Sequence, residues 1–244
     1  MLETFIVLIA AHIVADFLLQ TNEMVRDKKQ PDVMALHIVI VVFAAWAMMG
    51  TNTRHAFAAL AFLGLTHLAL DLWKLYYGGP GLKPFAIDQA GHIAVIAVIA
   101  AVYPAMYADG MWARSYQWLP YAHSVVVKEN YLKALILIAG TIATLRTGGI
   151  VIGLFTRTIN FQGNAGGLEE GGAYIGLFER MLVLMFVLMG HPEGIGFLIA
   201  AKSILRFQAA DERKMSEYII IGTLASFAWA IASSLLTKAA LDAV

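Results

Sequence analysis

Cysteine is absent from the 244 residues. Its absence excludes disulfides, thiolate metal ligands and cysteine nucleophiles, and says nothing about compartment. Charge is scarce. Asp, Glu, Lys and Arg make up 14% of the chain, and the formal net charge is +0. Without a basic surplus nothing attracts nucleic acid, so no nucleic-acid partner is expected. The amino terminus, "MLETFIVLIAAH", has no basic segment, and Asp16 falls where a signal peptide would be cleaved. The first apolar run therefore reads as a retained helix.

What is there is apolar. Hydrophobic residues account for 60% of the chain, with a mean hydropathy of +0.72. Runs near 20 residues long recur, each enough to cross a bilayer as a helix. The expected fold is an all-α, polytopic integral membrane protein with about eight spans, at 2–21, 34–50, 56–77, 85–108, 132–156, 174–190, 193–210 and 217–238. Breakers such as "GGPGLKP" at 78–84 and "GHPEG" at 190–194 separate them. A longer connector, 109–131, carries Trp112, Tyr116, Trp118 and Tyr121 and reads as an interfacial aromatic belt. A Gly-rich loop covers 157–173. It lacks a G-K-[ST] ending, so it is not a nucleotide-binding P-loop.

Eight spans place both termini on one side. The odd loops and nearby helix ends hold Arg26, Lys28, Lys29, Lys74, Lys83, Arg157, Arg206, Arg213 and Lys214, nine bases in all. The terminal side holds five, Arg54, Arg114, Lys128, Lys133 and Lys238. The excess assigns the odd loops to the cytoplasm and both termini to the outside.

One segment breaks the apolar pattern. "AHIVADFLLQTNEM" puts His12 and Asp16 in the first span, four residues apart. Sliding the sequence by 55 residues places His12 on His67, Asp16 on Asp71 and His37 on His92. "HIVAD" thus matches "HLALD", and "ALHI" matches "AGHI". Spans one and two read as one hairpin and spans three and four as its copy, in repeats 1–55 and 56–108. Together they form an amino-terminal four-helix half, 1–108. The connector 109–131 leads to a second four-helix half, 132–244.

His12, Asp16, His37, His67, Asp71, Asp88 and His92 fall at one depth, one to two turns from the cytoplasmic ends of their spans. The pairs 12/16, 67/71 and 88/92 each share a helix face. Ionisable groups in hydrocarbon are costly unless they pair, ligate a metal or line a wet cavity. Imidazole and carboxylate together suit a divalent Zn, Mn or Fe. Seven donors exceed one tetrahedral ion and fit two ions sharing a bridging carboxylate, a site type that helix bundles build. A hydrogen-bonded network, with each Asp orienting its His, is the structural alternative. Haem is disfavoured by the neighbouring carboxylates.

Other polar residues take lesser parts. Gln20 supports a ligand or ends its helix, and Thr21 and Asn22 are capping residues. Asp27 and Lys28 read as a solvated loop. His55, His123 and His191 have no partner in pattern. In the second half, Arg146, Glu179, Arg180, Lys202 and Arg206 gather toward the same ends of spans five to seven. A salt-bridge network around Glu179 is one reading. The other is an anion or headgroup site formed by Arg180, Lys202 and Arg206, with Glu179 and Arg146 supporting.

"HIVADFLLQT", "HLALDLWK", "DQAGH" and the late run "IGLFERMLVLMFVLMG…GIGFLIAAKSILRF…EYIIIGTLASF" resemble an uncharacterised family of bacterial inner-membrane proteins, classed only as a domain of unknown function. The resemblance implies a bacterial inner-membrane location and no activity. The His and Asp residues within spans are also loosely similar to membrane-bound metal-dependent hydrolases.

These features lead to a membrane metalloenzyme, a hydrolase acting on a lipid or lipid-linked substrate. Asp16, Asp71 or Asp88 would serve as general base where it is not a ligand. A divalent-metal or proton transporter is the second reading, and a non-enzymatic sensor or assembly partner with a structural metal the third. The apolar outer halves of spans one to four count against a through-path. A reporter fused after Val244 is expected outside the cytoplasm, and a cytoplasmic signal there would reverse the assigned orientation.

Overall fold

A computed structural model describes residues 1–113, 125–159, 171–207 and 213–244, with the side chains of 125–129, 204–207 and 213 left out. Among the described residues all regular structure is helical. In a bilayer the backbone must satisfy its own hydrogen bonds, and a helix does this within one segment. The helices are α1 (Leu2–Val14), α2 (Asn22–Arg26), α3 (Pro31–Met49), α4 (Arg54–Trp73), α5 (Leu82–Val102), α6 (Val125–Ile142), α7 (Gly148–Thr156), α8 (Gly171–Leu188), α9 (Glu193–Phe207) and α10 (Arg213–Asp242). Wider π-helical turns follow α1 (Ala15–Leu19), α4 (Lys74–Gly78) and α6 (Ala143–Thr147).

Among the described residues seven helical stretches are long and apolar enough to cross a membrane: Leu2–Leu19, Pro31–Met49, Arg54–Gly78, Leu82–Val102, Asn130–Thr156, Gly171–Leu188 and Lys214–Asp242. The polytopic all-α fold is therefore borne out. The span expected at 193–210 overlaps α9, Glu193–Phe207, and its last residues, 208–210, lie outside the described residues.

The chain divides into two compact units, Met1–Ala139 with Val244, and Gly140–Ala243. The division falls within α6. In the first unit α1 packs on α3 and α5, α3 on α4, and α4 on α5, closing a four-helix ring. Val7, Leu8, Ala11, Val41, Ala45, Leu63, Ile96 and Ile99 fill its centre. Outside, Phe43, Phe57, Phe62, Leu65, Val98 and Val102 are exposed, as lipid-facing side chains should be.

Two glycines set the helix spacing around α4. A Cβ at Gly64 would stand 2.8 Å from Val42 Cγ2, and one at Gly91 would stand 2.9 Å from Leu70 Cδ2. Gly91 precedes His92, so the α4–α5 approach also places that imidazole.

The far end of the ring is tied by polar bonds. Thr4 Oγ1 donates to Pro104 O (2.9 Å) and accepts from Tyr107 N (3.2 Å). The last carbonyls of α3 have no partners within the helix. Trp112 Nε1 reaches Ala47 O at 2.8 Å, Tyr131 OH reaches Met48 O at 2.8 Å, and Met111 N reaches Gly50 O at 2.7 Å. Trp112 is thus a helix cap as well as part of the expected aromatic belt. Tyr116, Trp118 and Tyr121 lie outside the described residues.

In the second unit α10 packs on α8 and α7, and α8 on α9. Val183, Val187, Ile195, Phe227 and Ala230 form the core.

Replacing Gly91 by Leu is expected to force α4 and α5 apart. Over-packing of this kind costs about 1–3 kcal/mol, so thermal unfolding of the detergent-solubilised protein should shift to lower temperature.

Candidate metal centre

The ring of α1, α3, α4 and α5 brings all seven expected His and Asp residues together at the end where the 20–30 turn sits. His12, His37, His67, Asp71, Asp88 and His92 are buried, and the Asp16 side chain is nearly so. Asp16 lies in the π-helical turn after α1. Such turns often mark functional positions in a helix. His12 is seven residues from Leu19, or about 10 Å of helix rise.

The donor atoms face one another. His37 Nε2 and His67 Nε2 are 3.2 Å apart. Asp71 Oδ2 lies 3.3 Å from the first and 3.6 Å from the second. Ligand atoms around a tetrahedral ion with bonds of ~2.0 Å are separated by ~3.3 Å, so this triangle has the dimensions of one tetrahedral face. Asp16 Oδ1 stands 3.5 Å from His67 Nε2 and 3.7 Å from both His37 Nε2 and His12 Nδ1. His92 Nε2 is 3.4 Å from Asp88 Oδ1, and its ring stacks on His67 with centroids 4.0 Å apart.

Three donor sets follow, each with ligand atoms within 4.8 Å: His12, Asp16 and His67; His37, His67 and Asp71; and Asp71, Asp88 and His92. The first two share His67 and the last two share Asp71. These groups could hold a metal ion.

The hydrogen bonding tests the fit. Buried polar atoms normally find partners. Here Asp16 Oδ1, Asp71 Oδ2, Asp88 Oδ1 and His92 Nε2 are buried without a hydrogen bond. These are the atoms that converge. The outer oxygens are satisfied: Lys28 Nζ lies 2.8 Å from Asp71 Oδ1, and Lys74 Nζ lies 2.7 Å from Asp88 Oδ2. Gln89 Nε2 donates to Asp88 Oδ2 (3.1 Å), and Gln89 Oε1 lies 3.2 Å from His12 Nε2. Carboxylates held on one oxygen and bare on the other suit ligands oriented by an outer shell. Three carboxylates against two ammonium groups leave one negative charge among the imidazoles, a balance that favours a cation.

Lys28 corrects the reading of "VRDKKQPD" as a solvated loop. Its ammonium reaches into the cluster and is only 14% exposed. Asp27 does stay outside, paired with Arg26 at 2.9 Å. Gln89 and Lys74 were also missed. Gln89 stands between Asp88 and His92 in "DQAGH", and Lys74 follows Asp71 by three residues in "DLWK"; spacing alone gave neither a partner. Gln20 ends the π turn, with its backbone N bonded to Ala15 O at 3.0 Å, and its side-chain Nε2 is buried without a partner. Thr21 caps α2 by accepting from Met24 N at 3.2 Å. His55 stacks on Tyr103 and His191 pairs with Glu193 at 2.9 Å, while His123 lies outside the described residues.

The basic set of the second unit is brought together only in part. Lys202 Nζ pairs with Glu179 Oε2 at 2.6 Å. Arg180 is buried beside them, Arg146 is exposed, and the side chain of Arg206 lies outside the described residues.

With this geometry in place, comparison with known proteins adds one finding. Residues 4–119 match the model of a family described as a protein of unknown function, DUF3307. The resemblance to an uncharacterised family is thereby borne out over that stretch, which contains all seven cluster residues with Lys28, Lys74 and Gln89. No curated protein and no solved structure matches the chain, so the second likeness, to membrane-bound hydrolases, has no named relative behind it.

Removing one member of a buried ion pair strands the other. Asp71→Ala is expected to destabilise the protein by about 3 kcal/mol, because the Lys28 ammonium loses its counter-charge. Asp27→Ala, at the exposed pair, should leave the unfolding midpoint unchanged. Thermal unfolding of both variants in detergent makes the comparison.

Proposed function

We propose that the chain is a membrane-embedded metal-dependent hydrolase that cleaves a lipid or lipid-linked ester near the membrane surface. The observation that carries the reading is the triangle of His37 Nε2, His67 Nε2 and Asp71 Oδ2, with bare carboxylate oxygens around it. His12, Asp16, Asp88 and His92 would complete the donor set for one or two ions of Zn, Mn or Fe. When bound, such an ion lowers the pKa of water toward ~7 and polarises a phosphoryl or carbonyl oxygen.

The chain's own groups have definable parts. Asp16 Oδ1, without a hydrogen bond and near three imidazoles, would accept a proton from water as general base where it is not a ligand. Lys28, Lys74 and Gln89 hold the outer oxygens of Asp71 and Asp88, keeping the inner oxygens turned to the cluster. A cavity of about 10 Å³ lies against His12, His67, His92 and Thr66. That is room for about one water molecule.

Leu8, Val41, Ala45, Leu63, Val95 and Ile96 close the cavity's remaining walls. This apolar lining supports a site entered from the 20–30 end over a conduit for ions or protons.

The test is elemental mass spectrometry on the detergent-purified protein beside a His67→Ala, Asp71→Ala variant. The expected result is about two equivalents of Zn, Mn or Fe, as two-ion sites hold, and loss of both in the variant. The metal-loaded protein should then hydrolyse a member of a phospholipid and lipid-phosphate panel, with activity removed by a chelator and restored by the ion. No bound metal after incubation with those ions would overturn the reading. Bound metal without hydrolysis would turn it to a structural metal, and metal flux in proteoliposomes would turn it to a transporter.

A further inference from the structure

The second unit contains a cavity that the metal centre does not use. It has a volume of about 370 Å³ and lies among α7, α8, α9 and α10. That is within the range of small-molecule pockets, ~300–1,000 Å³. Its polar wall is Arg180, Lys202, Glu179 and Ser226, and Ile152, Ile175 and Ile219 line the apolar side.

Arg180 is the unusual residue. It sits within the membrane-spanning stretch Gly171–Leu188 and is 6% exposed. Among the described residues no carboxylate lies within ion-pair distance of its guanidinium, because Glu179 is engaged by Lys202 at 2.6 Å. Nη1 donates to Ser226 Oγ at 3.3 Å and Nη2 to Leu145 O at 3.1 Å. Nε is buried and has no partner. A guanidinium has five N–H donors in a planar fork, so more than half of the fork is unspent.

An unpaired cation inside a span is expensive and marks a functional position by default. The surroundings are arranged to keep the fork clear. A Cβ at Gly176 would stand 3.1 Å from Nη1, and one at Gly149 would stand 3.3 Å from Nη2. Leu145, which supplies the accepting carbonyl, belongs to the π-helical turn Ala143–Thr147.

We propose that this cavity binds a phosphate-bearing anion, presented either by an anionic lipid headgroup or by a free phosphate ester, with Arg180 as its principal donor. The guanidinium fork matches phosphate oxygens geometrically. Lys202 is paired with Glu179, which leaves the Arg180 guanidinium as the cation that faces the cavity without a carboxylate among the described residues. The isoleucines beside the fork suit the glycerol backbone and first methylenes of a lipid. The site is built from the second unit alone, so it stands or falls apart from the metal centre.

The test uses the full chain in detergent, with native mass spectrometry of phosphatidylglycerol adducts and phosphatidylcholine as the comparison. Glycerol phosphate is added as competitor. Preferential retention of phosphatidylglycerol is expected. Loss of the adduct to glycerol phosphate assigns the site to free esters as well, and resistance assigns it to the lipid. Arg180→Gln should weaken binding by about tenfold or more, as loss of a charge-assisted hydrogen bond does.

Gly153→Leu is the second variant. Gly153 lines the cavity with nothing within 4 Å of its would-be Cβ, so leucine there fills the space without touching a charge. It should block binding while the protein remains folded. If Arg180→Gln does not fold, Gly153→Leu decides. No preference over phosphatidylcholine, or full retention of the adduct in the folded variants, would overturn the proposal.

Discussion

The Asp71 carboxylate is held from two directions. Lys28 takes one oxygen at 2.8 Å, and His37 and His67 crowd the other at 3.3 and 3.6 Å. Ionised groups do not stay in hydrocarbon without compensation, so each neighbour of Asp71 is constrained by it. Lys28 must fold back from the 20–30 turn, and α3 and α4 must approach closely enough to bring two imidazoles to one oxygen. The same logic repeats at Asp88, where Lys74 and Gln89 hold the outer oxygen and His92 faces the inner one.

The helix packing serves this arrangement. Gly64 and Gly91 let neighbouring helices approach α4 closely. The ring closes because α5 returns to α1, which sets His92 beside His12 at a centroid distance of 5.0 Å. At the opposite end Thr4, Trp112 and Tyr131 spend their polar atoms on backbone groups of the first unit. Buried polar atoms without a hydrogen bond occur at both ends, Thr51 Oγ1 and Tyr107 OH at this one and the inner oxygens of Asp16, Asp71 and Asp88 at the other. The second set differs in kind: its atoms belong to side chains that can ligate a metal, and they lie within 4.8 Å of neighbouring imidazole nitrogens.

The second unit meets the same constraint with the opposite sign. Glu179 and Lys202 neutralise each other, and Arg180 is left with a hydroxyl, a carbonyl and an open cavity. In both units a π-helical turn lies at the polar point: Asp16 sits in one, and Leu145, which accepts from Arg180, in another. A π turn widens the helix by one residue and changes which groups face inward.

By itself the sequence determined the membrane class, most of the spans and the seven His and Asp residues. Each depends on local order: the length of an apolar run, the turn that puts residues four apart on one face, and a 55-residue offset that returns the same residue types. Only the tertiary structure decided what surrounds them. Lys28 and Asp71 are 43 positions apart, and Lys74 and Asp88 are 14 apart, so no helical period joins either pair. Arg146 and Arg180 look alike as bases in apolar runs, yet one is exposed and the other buried, because helix rotation is set by packing. The π turns and the capping by Trp112 and Tyr131 likewise follow from which neighbour each segment meets. Periodicity is written along one strand of sequence, whereas the partners of a buried charge come from wherever the fold brings them.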